Sequence, residues 1–136
     1  MPATTFSHQE YDQLLDGTFK RLRELGKLKG GEYAHGDDRL DNFRRNGVDC
    51  GLPMETIWRV YAGKHWDAIT TYVRDLQKGV TRQRMEGIEG RVDDLMVYLL
   101  LFKCMLVERE RAHKAKLNAL HGISVAPPTF DPDNEA

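Results

Sequence analysis

The chain has 136 residues, 40% of them hydrophobic and 30% charged, with a formal net charge of −1. That length suits one domain of ordinary globular composition. A net charge so close to zero gives no electrostatic case for nucleic acid or an anionic membrane surface. The two cysteines, Cys50 and Cys104, form no CxxC pair. No basic start leads into an apolar run, so the expected location is the cytoplasm, host cytoplasm if the chain is phage-encoded.

Ser7-His8-Gln9-Glu10 fits a capping box, and Tyr11, Leu14, Leu15, Phe19, Leu22 and Leu25 then recur at helical spacing. Gly26 or the Gly30-Gly31 pair is expected to end this first helix. A glycine-rich loop follows, with Asp37 or Asp38 capping a short helix that carries Leu40 and Phe43 and closes at Gly47. Glu32, Tyr33, His35, Asp37, Asp38, Asp41 and Asn42 crowd into eleven positions here, denser than a solvated connector requires. Pro53 opens a third helix, with Ile57, Val60, Tyr61, Ala68, Tyr72, Val73 and Leu76 as its expected buried face and Gly79 as its cap. Gly63 sits mid-helix at a cost of roughly 1 kcal/mol relative to alanine. Trp58 and Trp66, two turns apart, suit packing, with base stacking the alternative.

The last segment is the most apolar. From Leu95 to Phe102 no residue is charged, and the run is apolar on every face of a helix, which places it at the centre of the protein. It is too short to span a membrane. Val107, Ala112, Ala115 and Leu117 are too sparse for a deep core, so the end of this helix is expected to be exposed or to meet a second subunit. No strand signal competes. The expectation is an all-α, four-helix bundle-like domain over 1–122 with a long, buried final helix, and an extended or disordered tail over 123–136.

Chemistry points to the carboxylates at the mouth of that helix. Glu86, Glu89 and Asp93 share one stripe, and Asp94 points about 100° away. Together with Asp38 or Asp41 they could converge, and converging carboxylates repel one another unless a divalent cation sits among them. Lys64 and Arg91 could then hold phosphate oxygens. The competing reading is a structural ion-pair network with Arg91, Lys64 or Arg39.

The segments GGEYAHGDDRLDNFRR, GKHWDAI and EGIEGRVDDLMVYLLL resemble small phage-type proteins related to the MazG-like all-α nucleoside triphosphate pyrophosphohydrolases. Lys29, Tyr33, Asp38, Leu40, Asn42 and Phe43 follow one motif of that group with slightly shifted spacing, and Glu89, Arg91, Asp94 and Tyr98 follow a second. The resemblance covers roughly positions 20–106. It implies a helical homo-oligomer in which magnesium helps split a nucleoside triphosphate into monophosphate and pyrophosphate. Carried over, Asp38, Asp41, Glu89 and Asp94 would hold metal, with Glu89 and Asp94 catalytic. Lys64, Arg91, Tyr33 and Asn42 would bind the nucleotide. The chain departs from the enzymes in lacking their early E-E-x-x-E motif. Two further readings stand beside catalysis: a non-catalytic nucleotide-sequestering protein, and a helical scaffold or interaction module.

Overall fold

The computed structural model describes residues 4–122 and 131–134. Four helices account for most of the chain: α1 (His8–Tyr33), α2 (Asp41–Cys50), α3 (Met54–Lys78) and α4 (Ile88–Leu120). There is no strand among the described residues, and a single 3-10 turn, Pro132–Asn134, lies beyond α4. Residues 123–130, within the tail expected to be extended or disordered, lie outside the described residues.

Local chemistry explains the boundaries. The Ser7 hydroxyl accepts the Glu10 backbone N–H at 3.1 Å, as the capping box requires. Gly51, Gly79 and Gly122 stand in the left-handed region that stops a helix without a Cβ penalty. Two expected stops are overridden. Helix α1 runs through Gly26, Gly30 and Gly31 to Tyr33, because a glycine costs a helix little when neighbouring residues are anchored. Gly47 is buried inside α2, where an added Cβ would come within 2.7 Å of the Leu52 carbonyl oxygen. It permits a close approach at the point where a helix stop is expected.

The core is a cluster of Leu40, Phe43, Ile57, Val97, Leu101 and Met105, edged by Leu22, Leu25, Trp58, Tyr98 and Phe102. Helix α4 supplies half of the cluster. Trp58 packs into this edge, its ring 4.7 Å from Phe102 and its indole N–H donating to the Tyr98 carbonyl at 2.6 Å. Trp66 is exposed. On α3 the buried residues are Ile57, Ala62, Gly63, His65 and Asp75, while Val60, Val73 and Leu76, expected inside, are exposed.

Helix α1 crosses α4 instead of lying along it. Arg21 reaches Asp93 at 3.4 Å and Lys29 reaches Asp94 at 2.6 Å. These partners are neighbours on α4, yet the two cations are separated by about 12 Å along α1. Only the later part of α1 touches the core, through Leu22 and Leu25. Residues 8–16 are exposed on every side. Helix α4 also differs from expectation: Val97, Leu101 and Met105 are buried, but Met96, Leu99 and Leu100 on the opposite face are exposed.

Charge clamps close the far end of the bundle. Arg44 on α2 bridges Asp38 at 2.9 Å and Glu108 at 2.9 Å, and Arg109 meets Glu55 at 2.7 Å. The α3–α4 connection is held by buried Asp75, which accepts from Arg82 at 2.8 Å and from Arg84 at 3.0 Å. Substituting Gly47→Ala is expected to lower stability by about 1–3 kcal/mol through overpacking. Met105→Ala, at a fully buried side chain, should cost about 2–5 kcal/mol. Urea denaturation followed by circular dichroism checks both.

Candidate functional site

Where α1 crosses α4, its last turns overhang α3, and a cleft of about 720 Å³ opens between them. Helix α1 contributes Lys29, Glu32 and Tyr33, and α2 contributes Asn42 and Arg45. Tyr61, Lys64 and His65 come from α3, and Arg91, Asp94 and Tyr98 from α4, with Glu86 just before it.

Asp94 is the hub. Its carboxylate is buried, and burial of a lone charge is costly unless it is paired. Lys29 answers it at 2.6 Å, and His65 Nδ1 lies 3.7 Å from its second oxygen. His65 Nδ1 also lies 3.4 Å from an Arg91 guanidinium N–H. A guanidinium can only donate, so a hydrogen bond in this contact requires the tautomer with its proton on Nε2. The direction of the His65 pKa agrees with a neutral ring. Burial pushes it below the usual histidine value, Asp94 pulls the other way, and Arg91, Lys29 and Lys64 add to the lowering. The Tyr98 ring lies 5.2 Å from His65, and burial followed by the Asp94 charge pushes its phenol upward.

Around this hub the cleft carries four fixed cations, Lys29, Arg45, Lys64 and Arg91, against three carboxylates, Glu32, Glu86 and Asp94. Glu86 meets Arg91 at 3.4 Å, and Arg45 is steered by Asp41 at 2.8 Å and by the Tyr33 carbonyl at 3.1 Å. The Asn42 amide oxygen is buried with no hydrogen-bond partner, while the Asn42 backbone carbonyl accepts from Asn46 at 2.8 Å.

Five expected site residues therefore line one cleft: Tyr33, Asn42, Lys64, Arg91 and Asp94. The other three do not. Asp38 lines a separate groove against α4 and is taken by Arg44 and the Leu40 N–H. That pairing holds its carboxyl below the usual range, the Arg44 hydrogen bond being the main cause. Asp41 accepts from Arg45 and from the His35 N–H at 3.1 Å, so it sits behind the cleft and positions two of its residues. Glu89 is exposed in the first turn of α4 and lines none of the cavities. Asp38, Asp41, Glu89 and Asp94 thus do not form one magnesium ligand set. Among the described residues no group of three or more His, Cys, Asp or Glu side chains is placed to hold a metal ion. Arginine or lysine has already answered three of the four carboxylates, Asp38, Asp41 and Asp94.

Three residues take roles that the sequence does not signal. In the sequence Lys29 stands out only as part of a motif, His65 as a polar residue at a helix interface, and Arg45 as a solvated or phosphate-gripping cation. Lys29 and His65 find their partners far along the chain, and Arg45 faces a cleft built mostly from distant segments, so spacing carries no signal for them. Comparison with protein-family models, with curated proteins and with solved structures gave no match.

The neutral, buried His65 ties stability to pH. Its folded pKa lies below the ordinary value of 6.5. As pH falls through that value the unfolded chain takes up a proton that the folded chain refuses, so stability present above it is lost towards the lowered folded pKa. Urea midpoints should fall between pH 7.5 and 5.5 (values bracketing the histidine range of about 6.5). The fall should be smaller in His65→Gln.

Proposed function

We propose that the cleft between α1, α3 and α4 binds a nucleotide and that this binding is the function of the chain. The observation that carries the reading is the joint placement of Tyr33, Asn42, Lys64, Arg91 and Asp94 around one cavity, with cations in excess. Its volume lies within the roughly 300–1,000 Å³ of small-molecule sites. Lys64 at the rim and the Arg91 guanidinium would take phosphate oxygens, Arg91 through its planar fork. Arg45, already oriented by Asp41, would add a third contact. Tyr33, half-exposed at the mouth, offers a face on which a base can stack. Asn42 offers an amide whose oxygen still lacks a donor.

Turnover is the second reading, and one observation favours it. Glu32, Glu86 and Asp94 line the same cleft as Lys64 and Arg91, the mixture of charges that a pyrophosphohydrolase needs. Magnesium would supply charge neutralisation to such a reaction. The carboxylates do not form a ligand set for it, so this arrangement supports binding ahead of hydrolysis.

Calorimetry against ribo- and deoxyribonucleoside mono-, di- and triphosphates, with magnesium or with chelator, tests the proposal. At least one nucleotide should bind in chelator and be recovered unchanged. Lys64→Ala and Arg91→Ala should each weaken binding about 10- to 100-fold, the loss of one charge-assisted hydrogen bond. Chelator-sensitive release of monophosphate and pyrophosphate would instead establish turnover. No heat from any nucleotide would remove both readings.

A further inference from the structure

The cleft does not end at Arg91. A second cavity of about 320 Å³ lies beside it, and Glu86 and Arg91 line both. Helix α3 runs past the two. Tyr61, Lys64 and His65 face the cleft, and Ala68 and Thr71 continue the same helical stripe into the second cavity. From Lys64 to Thr71 the helix rises roughly 10 Å. The cavities together make one elongated trough, divided by the Arg91–Glu86 pair.

The second cavity differs chemically from the first. Ala68, Met85 and Ile88 give it largely apolar walls, and Met85 stands fully exposed at its rim. A methionine is adaptable enough to fold over a flat ring. Asp67 is exposed there, and its carboxylate forms no ion pair among the described residues. Such a carboxylate can accept a ribose hydroxyl, as acidic residues do in dinucleotide sites. Arg84 closes the far side, fixed between buried Asp75 at 3.0 Å and the Tyr72 ring at 5.0 Å.

The charge of the trough limits what it holds. In the cleft the fixed cations exceed the carboxylates by one, and in the second cavity Arg82 and Arg84 already share Asp75. A terminal phosphate carries about −1.5 to −2 charge at pH 7, so a triphosphate brings more negative charge than these groups offset. A diphosphate esterified at both ends has no terminal phosphate and bears a single charge on each group. It can lie across Arg91 and Lys64, displacing exposed Glu86 and leaving Lys29 on Asp94.

We propose, resting on the nucleotide reading of the cleft, that the trough takes a dinucleotide, two nucleosides joined 5′ to 5′ through a diphosphate. The cleft holds one base against Tyr33 and Asn42, and Arg91 holds the diphosphate. The second cavity holds the other nucleoside, its ribose on Asp67 and its base against Met85 and Ile88.

Calorimetry of the full chain against diadenosine, diguanosine and diuridine 5′,5′-diphosphates, each beside its own 5′-mono- and diphosphate, tests this. One dinucleotide should bind at least about 10-fold more tightly than its matching mononucleotides. Asp67→Ala and Met85→Ala, both at exposed positions, should each weaken the dinucleotide about 3- to 10-fold, the loss of one hydrogen bond or one ring contact. Both should leave the mononucleotides unchanged. A mononucleotide bound as tightly as its dinucleotide would overturn the proposal while keeping the cleft as a nucleotide site. So would Asp67→Ala and Met85→Ala that weaken neither class, or both alike. Heat from neither class would remove this reading and the cleft reading together.

Discussion

A buried carboxylate organises this structure. Asp94 stands on α4 where the helix turns from its charged beginning into its apolar run, and its burial costs free energy that only ionic and hydrogen-bonding partners can offset. The partner comes from another element: Lys29 of α1 reaches it at 2.6 Å. Satisfying one carboxylate therefore ties α1 to α4 where the two helices cross. Burial pushes the His65 pKa down, and its Nδ1 sits between the Arg91 guanidinium and Asp94. The result is a network with one buried anion, a neutral ring and two cations, and the cleft opens directly above it.

Much of the fold was legible in the sequence because it depends on local chemistry. The Ser7 cap, the Gly79 stop and the Pro53 start depend on a few consecutive residues, and each appears where it is expected. Gly26, Gly30, Gly31 and Gly47 misled for a physical reason. Gly47 and Gly30 mark close approaches, to the Leu52 carbonyl and the Arg39 side chain, while Gly26 and Gly31 lie mid-helix with open space beside them. The apolar face of α3 was misplaced in the same way. Val60, Val73 and Leu76 carry the right hydropathy, but a helix with apolar residues on several sides does not announce which side its partners will cover.

The candidate site was half legible. Lys64, Arg91, Asp94, Tyr33 and Asn42 share the cleft, while Asp38, Asp41 and Glu89 do not. The error lies in treating carboxylates as a class. Asp38 and Asp41 fall in a short segment that also holds Arg44 and Arg45, and a carboxylate with an arginine one or two turns away is satisfied locally. Asp94 also has an arginine one turn away, Arg91, but that guanidinium goes to Glu86 and His65, and the cation on Asp94 is Lys29 from α1.

The crossing of α1 also gives its two halves unequal work. The later half closes over the cleft and carries Lys29 and Tyr33, while the earlier half leaves the bundle altogether. A single rigid helix transmits constraint between its ends, so the seating of Leu22 and Leu25 on the core also bears on how far Lys29 reaches towards Asp94. A phosphate entering the cleft acts on the same balance from the other end. It would compete with Asp94 for Lys29, and drawing that cation away would leave the buried carboxylate less compensated. In the proposed nucleotide-binding reading, ligand binding and the seating of α1 would be coupled through one ion pair. A ligand that brings enough negative charge to hold Lys64, Arg45 and Arg91, while leaving Lys29 on Asp94, gains the cleft's electrostatic attraction without disturbing the contact that builds it.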